Sequence, residues 1–91
     1  LSSSDPIAAL YLGLIAQQNN NSIEALKWLA RAIKSSRPEV VEGHFQIALI
    51  YRERRMMAKA RKALKRFLKL APKDHPFREE AASIIEDLRR S

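Results

Sequence analysis

Laid against itself at an offset of 35 residues, this 91-residue chain repeats its apolar pattern. Leu12 and Gly13 fall on Ile47 and Ala48, Ala16 on Tyr51, Ala25 on Ala60, and Leu29 on Leu64. A period of this size marks one supersecondary unit used in succession, each copy too small to bury its apolar side alone.

Turn and cap residues divide the pattern into helices. Asp5 is suited to capping free N–H groups, and Pro6 is preorganised for a first helical position. The first helix is expected over residues 6–18, apolar on most sides, with Ile7, Leu10, Tyr11, Leu14 and Ile15 at helical spacing. Asn19, Asn20 and Asn21 break it, because Asn tolerates left-handed geometry. Ser22 is then expected to cap a second helix over residues 23–35. Ser36 and Glu39 have capping-box spacing, which predicts a third helix over about residues 37–54. A fourth is expected over residues 57–70, ended by Pro72. A fifth follows over about residues 76–89, with Phe77, Ala81, Ile84, Ile85 and Leu88 inward and Arg78, Glu79, Glu80, Ser83, Glu86 and Asp87 outward. No stretch alternates with period two for a strand's length, so the reading is all-α with five helices.

On the paired residues above, the chain resembles the tetratricopeptide repeat family from about residue 6 to residue 90. That family's helix-turn-helix unit is roughly 34 residues long. Leu12, Gly13, Ala25, Leu29 and Ala32 match its pattern in one copy. Ile47, Ala48, Tyr51, Ala60, Leu64 and Pro72 match it in the next. The small residues matter because two helices approach closely only where side chains are small. Departures are Ala9 and His44 at the Trp-like position, Phe67 at a small position, and Pro38 one residue late. The resemblance implies a right-handed α-α superhelix, a TPR-like solenoid of five antiparallel helices. It implies a single domain over residues 1–91, with repeats at 6–37 and 38–72 and a capping helix at 76–90. An ordinary bundle of short helices is the competing reading. The paired Ala and Leu positions and the placement of Pro72 argue against it.

Composition narrows the function classes. A hydrophobic share of 46% excludes wholesale disorder. No apolar run approaches the roughly 18 residues of a membrane span. The start, Leu1 to Asp5, has no basic segment of a secretory leader and no initiator Met, and the chain is expected to be a piece of a longer protein. The absence of Cys excludes disulfides and thiolate metal sites and leaves the compartment open.

In the resembling family the first helix of each repeat lines a concave groove. Carried over, the groove positions are Ile7, Leu10, Leu14 and Gln17, then Glu42, Phe45, Leu49 and Arg52. The result is a peptide-binding groove apolar in its middle and polar at its ends, suited to a helix or an extended segment with bulky anchors. A clamp for a peptide's terminal carboxylate is not expected, since Leu10, Leu14, Pro76 and Glu79 stand where it needs Lys and Asn. The same apolar residues are equally compatible with being covered by preceding repeats or by a second copy of the chain. The polar face of the fifth helix marks it as a C-terminal cap, so missing neighbours belong on the N-terminal side.

The net charge of +7 concentrates between Arg52 and Lys73, where ten Lys and Arg stand against Glu53. Lys59, Lys62, Arg66 and Lys69 form one stripe on the fourth helix, flanked by Arg55 and Lys65. This basic patch reads either as a solvated convex face or as a contact surface for an acidic protein, nucleic acid or anionic membrane. Sequence-specific nucleic-acid recognition is not expected, because the one interleaved aromatic, Phe67, falls on the apolar side.

Nothing at catalytic or metal-ligand spacing accompanies this. His44 and His75 are 31 residues apart without neighbouring carboxylates or thiols in ligand pattern, and suggest packing and helix capping respectively. No cofactor, metal site or catalytic residue is expected. The reading is a scaffold that binds another protein or peptide, with self-association left open.

Overall fold

Helix starts and the turns between them decide this architecture, and they are described for residues 5–90 in a computed structural model. The expectation about the opening residues concerns Leu1 to Ser4 and lies outside the described residues. α1 (Pro6–Gln18) begins as expected: Asp5 Oδ1 accepts from the Ile7 N–H at 2.9 Å and Pro6 takes the first turn. α2 (Ser22–Ala32) is capped one residue earlier than expected, Asn21 Oδ1 accepting from the Glu24 N–H at 3.3 Å. Then come α3 (Glu42–Glu53), α4 (Met57–Leu70) and α5 (Arg78–Arg90). Among the described residues there is no strand.

The junction between α2 and α3 departs from the expectation. α2 stops at Ala32, and the Lys34 and Ser35 N–H groups reach back to Arg31 and Ala32, three residues earlier, tightening the last turn. Ser35 Oγ, not that of Ser36, accepts from the Arg37 N–H at 3.1 Å, while Glu39 pairs with the Arg37 guanidinium at 3.2 Å. The capping box therefore does not form. Pro38 opens a single 3-10 turn (Pro38–Val40), and α3 starts only at Glu42.

Both hairpin turns use one geometry, displaced by the 35 residues of the sequence offset. Among the described residues, Asn20 and Arg55 are the two at positive φ, 60° and 62°. The Asn21 N–H reaches Ala16 O at 2.9 Å, and the Met56 N–H reaches Tyr51 O at 2.8 Å. The Asn20 N–H reaches Gln17 O at 3.1 Å, and the Arg55 N–H reaches Arg52 O at 3.0 Å. These are paired Schellman closures, which satisfy the last carbonyls of the first helix in each hairpin. Asn suits the left-handed position, whereas an Arg there costs roughly 1 kcal/mol.

Packing follows chain order: α1 on α2, α2 on α3, α3 on α4 and α4 on α5. Small residues set the closest approach. A methyl added at Gly13 would lie 2.7 Å from Leu29 Cγ and 3.3 Å from the Leu29 backbone N, so α1 meets α2 there only because the side chain is missing. Ala25, Ala60, Leu29 and Leu64, paired by the offset, are all fully buried. One core region surrounds Leu29 and Ile50, a second surrounds Leu64 and Phe67, and Tyr51 and Ala63 touch both.

Phe67, where the family pattern has a small residue, is fully buried, its ring 5.5 Å from Phe45 and 4.9 Å from His75. Phe45 in turn stacks on Phe77 at 4.8 Å. This aromatic group joins α3, α4 and the loop leading into α5. His75 Nδ1 accepts from the Phe77 N–H at 3.1 Å, the capping role expected of it, although α5 itself begins two residues after Pro76. Arg78 was expected outward. Instead its Nη1 donates to Leu68 O at 2.8 Å and Ala71 O at 3.0 Å, satisfying carbonyls at the end of α4 and tying α5 to it. The rest of α5 behaves as expected, with Ala81, Ile84 and Leu88 buried and Glu79, Glu80, Ser83, Glu86 and Asp87 exposed.

Candidate functional site: the α1–α3 cleft and the cationic face of α4

α1 and α3 face one another across a cleft of about 370 Å³ lined by Leu14, Gln17, Gln18, Glu42 and Gln46. Gln46 Nε2 donates to Glu42 Oε2 at 3.0 Å, one helical turn apart, so the α3 wall presents a fixed amide–carboxylate pair. Across from it Gln17 and Gln18 offer further amide groups, and Leu14 supplies the apolar part. The cleft is thus rich in paired donors and acceptors, the kind of surface that reads a polypeptide backbone or polar side chains.

Of the positions expected in an apolar groove, the structure brings Leu14, Gln17 and Glu42 together. Leu10 and Phe45 are corrections: they are 4% and 2% exposed, inside the core. Leu10 packs toward Gly43, its Cδ1 3.7 Å from where a methyl on Gly43 would lie, and Phe45 is held by Phe67 and Phe77. Once Phe45 turns inward, the outward ridge of α3 runs through Glu42 and Gln46, four residues apart on one face. Ile7 is half-buried, Leu49 is half-buried against the second core region, and Arg52 is exposed outside the cleft lining. Sequence reasoning missed Gln18 and Gln46. The four-residue spacing from Glu42 was the signal for Gln46.

On α4 the expected division holds. Lys59, Lys62, Lys65, Arg66 and Lys69 are exposed, while Ala60, Leu64 and Phe67 are buried on the other side. Arg55 sits in the hairpin turn and not on the helix. Among the described residues the ion pairs are Arg37 with Glu39 and Glu86 with Arg89 and Arg90, none of them on α4. Lys59 Nζ lies 5.7 Å from the Tyr51 ring centre. None of these five α4 cations is in an ion pair among the described residues.

His44, at 9% exposure, is a packing residue: burial pushes its imidazole below the ordinary range, and the Arg66 charge adds to this. The Glu39 carboxyl is lowered by a backbone hydrogen bond and by Arg37. Among the described residues no three His, Cys, Asp or Glu side chains gather in a metal-holding group, and no helix is long and apolar enough to cross a membrane.

Residues 41–74 match the family model of the tetratricopeptide repeat. The match begins one residue before α3, takes in α4 and ends at Asp74. Neither the curated proteins nor the solved structures gave a match to the chain.

Proposed function

We propose, from the match of residues 41–74 to the tetratricopeptide repeat, a unit that mediates protein–protein interaction, that this chain binds a partner protein in the α1–α3 cleft. The observation that carries this reading is the convergence of Leu14, Gln17, Gln18, Glu42 and Gln46, from the first helices of two hairpins, on one cavity. The occupant that fits is an extended polar segment with a modest apolar anchor on Leu14. The bulky-anchor groove expected from sequence is set aside, because Leu10 and Phe45 are engaged in the core. The test is capture of binding proteins with wild type and with a Gln17→Trp, Gln46→Trp variant, which fills the cleft from both walls. Partner recovery is expected to fall about tenfold, or 1.4 kcal/mol. Equal recovery, with helicity retained by circular dichroism, overturns the cleft reading.

A second reading, self-association or docking of a further helix on α1, is favoured by one observation. Tyr11, Ile15 and Ile23 are 60%, 54% and 64% exposed on a helical hairpin whose α1 has no charged side chain. A helix apolar on all sides is ordinarily covered on all sides. Sedimentation equilibrium of wild type and an Ile15→Glu variant tests it. Monomers at every concentration for both would remove the self-association version.

A further inference from the structure

Two cavities open along the seam between α2 and α4. One, of about 440 Å³, has Ile47, Tyr51 and Ala63 as its floor and Ala30 on its α2 side. The other, of about 220 Å³, lies toward Val41 and Leu70. Both count Ile33 and Arg66 among their walls, so they run together as one furrow. Along α4 it extends from Lys59 to Leu70, eleven residues or roughly 16 Å of helix.

Its electrostatics are one-sided. Lys59, Lys62 and Arg66 stand along the α4 wall and Lys34 and Arg37 at the far end, with no acid among the lining residues. Arg37 is already engaged by Glu39, which leaves four cations without an ion pair among the described residues. The combination of an apolar floor and a cationic wall differs from a plain solvated charge run, which has no floor to seat a ligand.

We infer that this furrow is a docking site for an acidic amphipathic helix of a partner protein. The inference rests on the protein-interaction reading but uses a different pair of helices from the cleft. Charge complementarity selects an acidic guest, and the apolar floor requires a guest with its own apolar side. The spacing selects a helix. Lys59, Lys62 and Arg66 follow one another at three and four residues, about 4.5 and 6 Å along the axis. Carboxylates at the same intervals on a guest helix rise by the same amounts. An extended guest presents same-side groups about every 6.6 Å and drifts out of step with them.

The probe is a fluorescent helical peptide of about 14 residues, capped at both ends, with Leu along one side and Glu along its flank. Controls are its Glu-to-Gln analogue, a scramble of the same composition, and a single-stranded oligothymidine of similar length. Fluorescence anisotropy is expected to show binding of the acidic peptide. The Gln analogue and the scramble are each expected to bind about tenfold more weakly. A Lys62→Glu, Arg66→Glu variant is expected to lose about tenfold. Ala30→Arg, which obstructs the furrow while adding positive charge, is also expected to weaken binding. The Gln17→Trp, Gln46→Trp variant is expected to bind the peptide as wild type does, which separates the two faces.

Equal binding of the scramble, or undiminished binding by Ala30→Arg, overturns the inference and leaves only a diffuse positive field. Tighter binding of the oligothymidine than of the peptide, with a steep fall in salt, overturns it in favour of a phosphate-binding face.

Discussion

Replacing Phe67 by Ala inserts the small residue that the family pattern has at that place, and here it is expected to be costly. Phe67 is fully buried, and its ring meets Phe45 at 5.5 Å and His75 at 4.9 Å, edge-on. Truncation removes the packing of a whole ring and leaves a hole between three elements, a change worth about 3–5 kcal/mol for Phe to Ala. Loss of the two ring contacts contributes about 0.5–1.5 kcal/mol apiece within that total. A domain of this length has roughly 5–14 kcal/mol of stability, so the variant sits near the edge of folding. With a urea slope of about 1–2 kcal/mol per molar, the midpoint is expected to fall by about 1.5–5 M. Urea titration followed by circular dichroism reads this directly. A Phe67→Leu control, which keeps most of the volume but not the ring contacts, is expected to lose about 1–3 kcal/mol, less than Phe67→Ala. A midpoint for Phe67→Ala within about 0.3 M of wild type would refute the claim that aromatic packing, not close helix approach, organises this end of the fold.

Four further outcomes follow from named contacts. Gly13→Ala is expected to lower the melting temperature by about 4–8 °C, since overpacking against Leu29 at 2.7 Å outweighs the gain in helix propensity. Gly43→Ala meets only the Cγ2 methyl of half-buried Ile33 at comparable distance, and is expected to cost less than Gly13→Ala in the same melting experiment. Arg78→Met removes two hydrogen bonds to the carbonyls of Leu68 and Ala71, and is expected to cost about 1–2 kcal/mol and to speed hydrogen exchange in α5 while α1 and α2 keep their protection. For His44, burial and the facing Arg66 hold the folded pKa below the ordinary 6.5, so the unfolded chain takes up the proton first. That contribution to stability is complete above about 6.5 and declines as pH falls through the window below it, by at most about 1.4 kcal/mol per unit. Melting curves between pH 7 and 5 are expected to fall more steeply for wild type than for His44→Gln.

Helix number, helix type and the hairpin turns were legible in the sequence because they depend on local chemistry. Asp5 and Pro6 start α1, and Asn20 takes the left-handed position that the Asn run suggested. The repeat offset was legible because Gly13, Ala25 and Ala60 are small for a steric reason, and such reasons leave their mark on composition. The junction at residues 33–41 was not, since Ser35 competes with Ser36 for the same local hydrogen bond and nothing in the spacing ranks them. Nor was the rotation of α3. Carrying groove positions over by register placed Phe45 outward, but Phe67 and Phe77, distant in sequence, supply a ring pocket that draws it in. Arg78 was misplaced for a related reason. A charged residue at the foot of an amphipathic helix reads as solvent-facing until the free carbonyls at the end of α4 are seen beside it.

The most direct measurement of the functional claim is site-specific photocrosslinking, with benzoylphenylalanine placed in turn at Gln46 in the cleft and at exposed Ala82 on α5. A protein partner joined through position 46 and not through position 82, with the crosslink abolished by Gln17→Trp, is the predicted result. Crosslinks through position 82 that bypass position 46 would contradict the assignment of the cleft.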